Sequence, residues 1–190
     1  MEREQSPVRR LAAWLADLEK FDLPDWDSLP QLDLYMDQVI LLLNRYLSPI
    51  VGEERYVTAS IINNYVRMKV VPPPVKKRYS RVHLAYLVII CILKQSLSIS
   101  CIQRMLPPEH GEEEAKTLYT DFVRQYRAAV AFLRRLDVRG GVLELAGVET
   151  LGLGGEGSLV TTSAILSTLS KALTEYLLRE ERPPEEEEDE

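Results

Sequence analysis

An all-helical protein is predicted here on three observations. Apolar residues recur at spacings of three and four, as in Val8, Leu11, Leu15 and Leu18, which is the period of a helix with one buried face. Prolines stand where such segments start or stop: Pro7, Pro49, the triplet from Pro72 to Pro74, and the pair Pro107 and Pro108. Every residue from Leu84 to Leu93 is apolar, a run too short to cross a bilayer and suited to a helix buried on nearly all sides. At 190 residues the chain has room for one core with appendages.

The first element is a helix that opens at Ser6 and Pro7, carries Trp14 on its apolar face and ends near Lys20. A loop with two prolines and three aspartates follows, ending at Pro30. The second helix is expected from about Asp33 to Leu47, stopped by Ser48 and Pro49. Asp33 and Asp37 lie one turn apart on it, and the helix dipole accounts for two acids in a first turn without any metal. Thr58 caps a third helix from Ala59, with Val57 and Ile62 placed as a hydrophobic staple, and the proline triplet stops it by Val71. Its apolar stripe is Ile62, Tyr65 and Val66, while Ser60, Asn63, Asn64 and Arg67 take the other side. Lys76, Lys77, Arg78 and Arg81, with Tyr79 and Ser80 among them, form a segment too short and turn-rich for a helix, which reads as a phosphate-gripping wing. Ser80 caps the buried helix from near Arg81, and Ser98 caps a short one that runs to Leu106.

Beyond Pro108 a helix is expected from about Glu112 to Leu136, with three glutamates at its start and Arg134 and Arg135 at its end. Tyr119, Phe122, Tyr126, Ala129, Leu133 and Leu136 make a seam three heptads long, with two destinations open to it: a second copy of the chain, or this chain's own core. The stretch from Arg139 to Gly157 holds seven of the nine glycines and reads as a flexible linker; its G-L-G-G-E-G run lacks the lysine of a P-loop. A last helix from about Thr162 to Arg179 buries Ile165, Leu166, Leu169, Leu173, Tyr176 and Leu177. The final eleven residues include eight acids and are expected to be disordered.

Charge is segregated along this frame. Between Arg55 and Leu106 the chain carries nine Lys or Arg and no Asp or Glu, although its formal net charge is −6. Taking those nine from the total of 23 leaves fourteen cations against 29 acids elsewhere. A field of locally reversed sign steers phosphate to one face. Within the block, the amide, hydroxyl and guanidinium groups of Ser60, Asn63, Asn64 and Arg67 are of the kinds that read base edges in a major groove.

These features together resemble the winged helix-turn-helix of MerR-like transcription regulators. Val57, Thr58, Ile62, Tyr65, Val70, Val71 and Pro72 match the recognition helix and its exit; Arg78, Tyr79, Ser80, Leu84 and Leu87 match the wing and the next helix; Leu97, Ser98, Ile102 and Leu106 match the last. Over roughly residues 8 to 106, the stretches D-L-Y-M-D-Q-V, I-N-N-Y-V, P-P-P-V-K-K-R-Y-S and H-L-A-Y-L-V-I-I-C-I-L-K-Q also resemble one uncharacterised bacterial family filed as a domain of unknown function. Two positions depart from the MerR-like pattern, Asn63 where Arg is usual and Lys69 where Gly is usual, and the wing is shorter. The resemblance implies double-stranded DNA as partner, contacted by Ser60, Asn63, Asn64, Arg67, Lys69, Lys76, Lys77, Arg78, Tyr79 and Arg81. It also favours a homodimer paired through Tyr119, Phe122, Tyr126, Leu133 and Leu136.

The expected organisation is an N-terminal helix and loop (1–30), a MerR-like winged helix-turn-helix domain (31–108), a dimerisation helix (109–138), a linker (139–157), a C-terminal helix (158–179) and an acidic tail (180–190). No catalytic set, metal-ligand spacing or cofactor motif accompanies it, so the chain reads as no enzyme and needs no cofactor. Cys91 and Cys101 sit in apolar helical contexts and read as buried thiols, and His83 and His110 as incidental. Without a leader or membrane-length segment, the cytoplasm is the expected compartment. Two rivals accompany the transcription-regulator reading. One is a protein-interaction or RNA-binding module that uses the basic face; the other is a sensor of an unidentified small molecule held by Tyr119, Tyr126 and Tyr176.

Overall fold

The computed structural model describes residues 7–20, 22–51, 56–107, 111–139, 142–145 and 156–178. Its helices are α1 (Pro7–Lys20), α2 (Met36–Val51), α3 (Ala59–Arg67), α4 (Arg81–Leu93), α5 (Ile99–Met105), α6 (Glu112–Leu133) and α7 (Glu156–Leu178), with a 3-10 turn at Trp26–Ser28. The fold is thus mostly helical, and the apolar run becomes its axis. From His83 to Leu93 every residue of α4 is buried, and α2, α6 and α7 wall it in while α1 lies against α7.

Helix limits follow the local chemistry, including where it departs from expectation. α2 starts at Met36 rather than Asp33 because Leu34 is committed elsewhere: it exchanges two backbone hydrogen bonds with Tyr79, both 2.9 Å. Only Asp37 therefore lies in the first turn. The Tyr35 N–H donates to Gln38 Oε1 at 2.9 Å, which satisfies one of the free donors at the helix entrance. α2 also passes through Pro49. Residue 49 has no N–H for the Arg45 carbonyl, and the Ser48 hydroxyl donates to that carbonyl instead, at 3.1 Å.

Where the expected helix passes into the expected linker there are two strands, β1 (Leu136–Arg139) and β2 (Val142–Leu145), paired antiparallel with Leu136 opposite Leu145. Alternating L-D-V-R and V-L-E-L around Gly140-Gly141 is a hairpin pattern, and it ends α6 short of Leu136. Residues 146–155 and the acidic tail lie outside the described residues.

The α6 seam is intramolecular. Tyr119, Phe122, Tyr126 and Leu133 are all buried in the chain's own core, where α6 packs on α4 and α7, and the Tyr119 hydroxyl donates to the Pro24 carbonyl at 2.9 Å. Leu136 has left the helix for β1. These side chains are already covered, which corrects their assignment to a contact between copies. Of the three tyrosines expected at a ligand pocket, Tyr119 is fully covered, Tyr126 lines a small pocket with Leu18, Asp22 and Val130, and Tyr176 lies under the Arg10 guanidinium. Arg127 fastens the loop before the 3-10 turn, with Nε on Asp22, Nη1 on Asp25 and Nη2 on the Leu23 carbonyl, at 2.8, 2.8 and 2.9 Å.

Replacing Phe122 by Ala should lower the free energy of unfolding in urea by about 3–5 kcal/mol. The midpoint should not depend on protein concentration. One that rises with concentration would return the seam to an interface between copies.

Candidate nucleic-acid interface

α3 is held in place from behind. The Asn44 side chain on α2 pairs with the peptide of Val57: its Nδ2 donates to the Val57 carbonyl at 3.0 Å and its Oδ1 accepts the Val57 N–H at 2.9 Å. The same Nδ2 reaches the Ile40 carbonyl. One amide thereby fixes the residue from which the chain enters α3. Thr58 then caps the helix through its hydroxyl, which accepts the Ile61 N–H, and Ile62 and Tyr65 turn into the core.

On the outer side Ser60, Asn63 and Arg67 are exposed and Asn64 is half-buried. Asn64 is oriented by its neighbours, with Oδ1 accepting from Arg67 Nη2 at 2.7 Å and Nδ2 reaching Met68 Sδ at 3.6 Å. Asn63 and Ser60 have no such partner among the described residues. With Tyr56, Ile61, Tyr65 and Lys94 these four residues line an open concavity of about 790 Å³. Burial raises the Tyr56 hydroxyl, and raises that of Tyr65 well above the usual phenol range, so both stay protonated.

α3 ends in a Schellman arrangement: the Lys69 N–H donates to the Val66 carbonyl and the Val70 N–H to the Tyr65 carbonyl, at 3.0 and 3.1 Å. That motif places Lys69 at the left-handed position, φ 58°, where glycine is usual. After the prolines, Val75 and Arg78 exchange two backbone hydrogen bonds, 3.1 and 2.9 Å, around Lys76 and Lys77 with φ 50° and 63°. Positive φ at both central residues is a type I′ hairpin turn, normally built from Asn and Gly. Lys69, Lys76 and Lys77 are the only non-glycine residues in left-handed backbone among those described. All three are exposed lysines of the acid-free block. Each costs on the order of 1–2 kcal/mol relative to right-handed backbone.

The turn is braced by His83, which is not incidental. Its Nδ1 accepts the Ser80 N–H at 3.0 Å, which leaves Nε2 as the protonated nitrogen, 3.2 Å from the Pro73 carbonyl. One buried imidazole thus ties the start of α4 to the proline triplet, and Tyr79 packs edge-on against it at 5.5 Å between ring centroids.

The remaining basic-block candidates separate. Tyr79 is buried, which corrects the expectation that its side chain contacts DNA, and its backbone is taken by Leu34. Arg78 is exposed but oriented, donating to the Tyr35 hydroxyl at 2.8 Å with its guanidinium 4.6 Å from that ring's centroid. Arg81 is turned inward: it lies 5.5 Å from the Trp26 ring and 3.9 Å from Asp27, with only 16% of its side chain exposed. Asn44, Tyr56, His83 and Lys94 were not singled out as site residues from the sequence, because their roles depend on contacts between elements.

The Cys91 thiol is fully buried, and burial pushes it up to about 12, so it is no thiolate at neutral pH. No group of three His, Cys, Asp or Glu among the described residues could hold a metal ion. No helix among them is long and apolar enough to cross a membrane.

A family model described as Domain of unknown function (DUF1836) matches residues 24–122, more than half the chain, from the loop before the 3-10 turn into α6. Comparison with curated proteins gave no match, and comparison with solved structures gave none.

Two variants test the cost of this turn. Lys77→Gly should raise the free energy of unfolding by about 0.5–1 kcal/mol, since glycine adopts a positive φ freely but loses more chain entropy on folding. His83→Ala should lower it by about 1–3 kcal/mol by stranding the Ser80 N–H and the Pro73 carbonyl. Both are read from urea titrations; a Lys77→Gly variant no more stable than the parent would contradict strain at that residue.

Proposed function

The chain belongs to the DUF1836 family, a premise that assigns no activity, and from the geometry around α3 we propose that it binds double-stranded DNA and regulates transcription in the manner of a MerR-like winged helix-turn-helix protein. The observation that carries the reading is the placement of Lys69, Lys76 and Lys77 in left-handed backbone, all three exposed and all within the stretch of sequence that holds no Asp or Glu. Strain of that kind persists when the surroundings enforce it and the position has a use. Three flexible cations at the exit of a helix with an outer row of Ser60, Asn63 and Arg67 suit a duplex. The lysines neutralise phosphates, and the amide and guanidinium face base edges.

On this reading α2 and α3 form the helix-turn-helix pair, with Asn44 as the clamp between them, and the Val75–Arg78 turn is the wing. Lys76 and Lys77 at its tip carry most of the phosphate contact, with Arg78 beside them. Arg81 is occupied by Trp26 and Asp27 and contributes little. A dimer on DNA would use some surface other than the α6 seam.

Log affinity for duplex DNA should fall with log salt with a slope of about −3 to −5, each neutralised phosphate contributing about −0.9. Lys76→Ala with Lys77→Ala should weaken all sequences alike and flatten the slope by up to about two units. Asn63→Ala or Arg67→Ala should cost about 1–3 kcal/mol on the preferred site only. Wing and helix variants that behave identically would make the protein a non-specific binder. Binding of RNA or of an acidic protein in preference to duplex, by the same lysines, would reassign the face.

A further inference from the structure

We propose that Lys94 holds a second run of phosphates, on the DNA strand across the major groove from Lys76 and Lys77; the inference rests on the duplex-binding reading above and extends it. Lys94 is the residue at which α4 ends, and it lines the concavity along α3 that Ser60, Asn63 and Arg67 also line. The lysines of the turn do not line it. They stand near the other end of α4, where Ser80 and His83 brace the turn.

A lysine at the end of a helix ordinarily serves the last carbonyls. Here Gln95 serves one of those carbonyls, and Lys171 serves the carbonyl just past the helix. Lys171 Nζ donates to the Gln95 carbonyl at 2.8 Å, and Gln95 Nε2 to the Cys91 carbonyl at 3.2 Å. The Lys94 ammonium has no hydrogen bond or ion pair among the described residues, and no carboxylate occurs between Arg55 and Leu106 to neutralise it. Donors from Ser60, Asn63, Arg67 and Tyr56 share the concavity with it. A cation among hydroxyl, amide and guanidinium donors, with no acid among the described lining residues, suits a phosphodiester.

The spacing fits two banks of one groove. Thirteen residues of α4 span about 20 Å at 1.5 Å per residue, more than the major groove's width of roughly 12 Å. The two ends of one rigid helix can therefore stand over opposite backbones.

The test uses the full chain and a duplex that it selects from a random-sequence pool, with salt dependence and phosphate-ethylation interference as readouts. The unmutated protein should show two clusters of essential phosphates, one on each strand. Lys94→Gln should lose one cluster, flatten the salt slope by about one unit and weaken all duplexes alike, whereas the Lys76→Ala, Lys77→Ala variant should lose the other cluster. Lys94→Arg should restore the Lys94→Gln losses. If Lys94→Gln leaves slope and interference unchanged while the turn variant loses its cluster, duplex binding stands and this inference alone fails. Loss of one and the same cluster by both variants overturns the placement across the groove. An unmutated chain that retains no duplex removes the functional reading and the inference together.

Discussion

From His83 to Leu93 every residue of α4 is buried, and a helix covered on all its faces needs walls on all of them. α2, α6 and α7 supply those walls, and the limits of the other elements answer to that demand. The seam of α6 is spent on it rather than on a second copy. Thr168 of α7, itself fully buried, donates to the Ala164 carbonyl at 3.1 Å and meets the Ser96 hydroxyl at 2.8 Å just past the end of α4. A buried hydroxyl paired with a half-buried one costs little when satisfied and much when misplaced, which favours one register for α7. An apolar wall alone would slide.

Because α4 is fixed along its length, what leaves its two ends is fixed as well. The N-terminal end carries Ser80 and His83, and His83 reaches back to Pro73, so the hairpin turn is attached to the most rigid element of the fold. That attachment lets lysines occupy left-handed backbone at the tip. A loosely tethered turn would relax to right-handed backbone, whereas this one is closed by two hydrogen bonds between Val75 and Arg78 and joined to α2 through Leu34 and Tyr79. The strain is local and the restraint that holds it is tertiary.

The difference between local and tertiary causes also decides what could be read from the sequence alone. Helix starts at Pro7, Ala59, Arg81 and Ile99 follow from caps and prolines within a few residues of the boundary, and the structure has them there. The buried helix was readable because ten apolar residues in a row leave no face for water. Periodicity identifies the buried face of α6, but the same spacing suits a neighbouring helix or a second chain, and only the contacts with α4 and α7 distinguish them. Pro49 stops a helix unless a nearby hydroxyl takes over the stranded carbonyl, and Ser48 does so. Tyr79 stands between cations and its place in the sequence suggests a contact surface, yet in extended backbone successive side chains face opposite ways. Arg78 points out and Tyr79 in. The hairpin from Leu136 to Leu145 had a readable signal in its alternation around two glycines, which the wealth of glycine beyond it obscured.

The extent of the family match sharpens the division of labour. Residues 24–122 contain α4, the turn, α3 and its Asn44 clamp, and so the whole of the basic block. α1, α7 and the second half of α6 lie beyond it, yet α7 covers α4 directly and α1 joins α7 through Arg10, which donates to the Tyr176 carbonyl and lies over its ring. Lys171 of α7 serves the carbonyl of Gln95, next to Lys94. The flanking helices therefore do more than add apolar cover. Lys171 takes the Gln95 carbonyl while the ammonium of Lys94 has no partner among the described residues, so a helix outside the matched region serves the polar backbone beside a cation inside it.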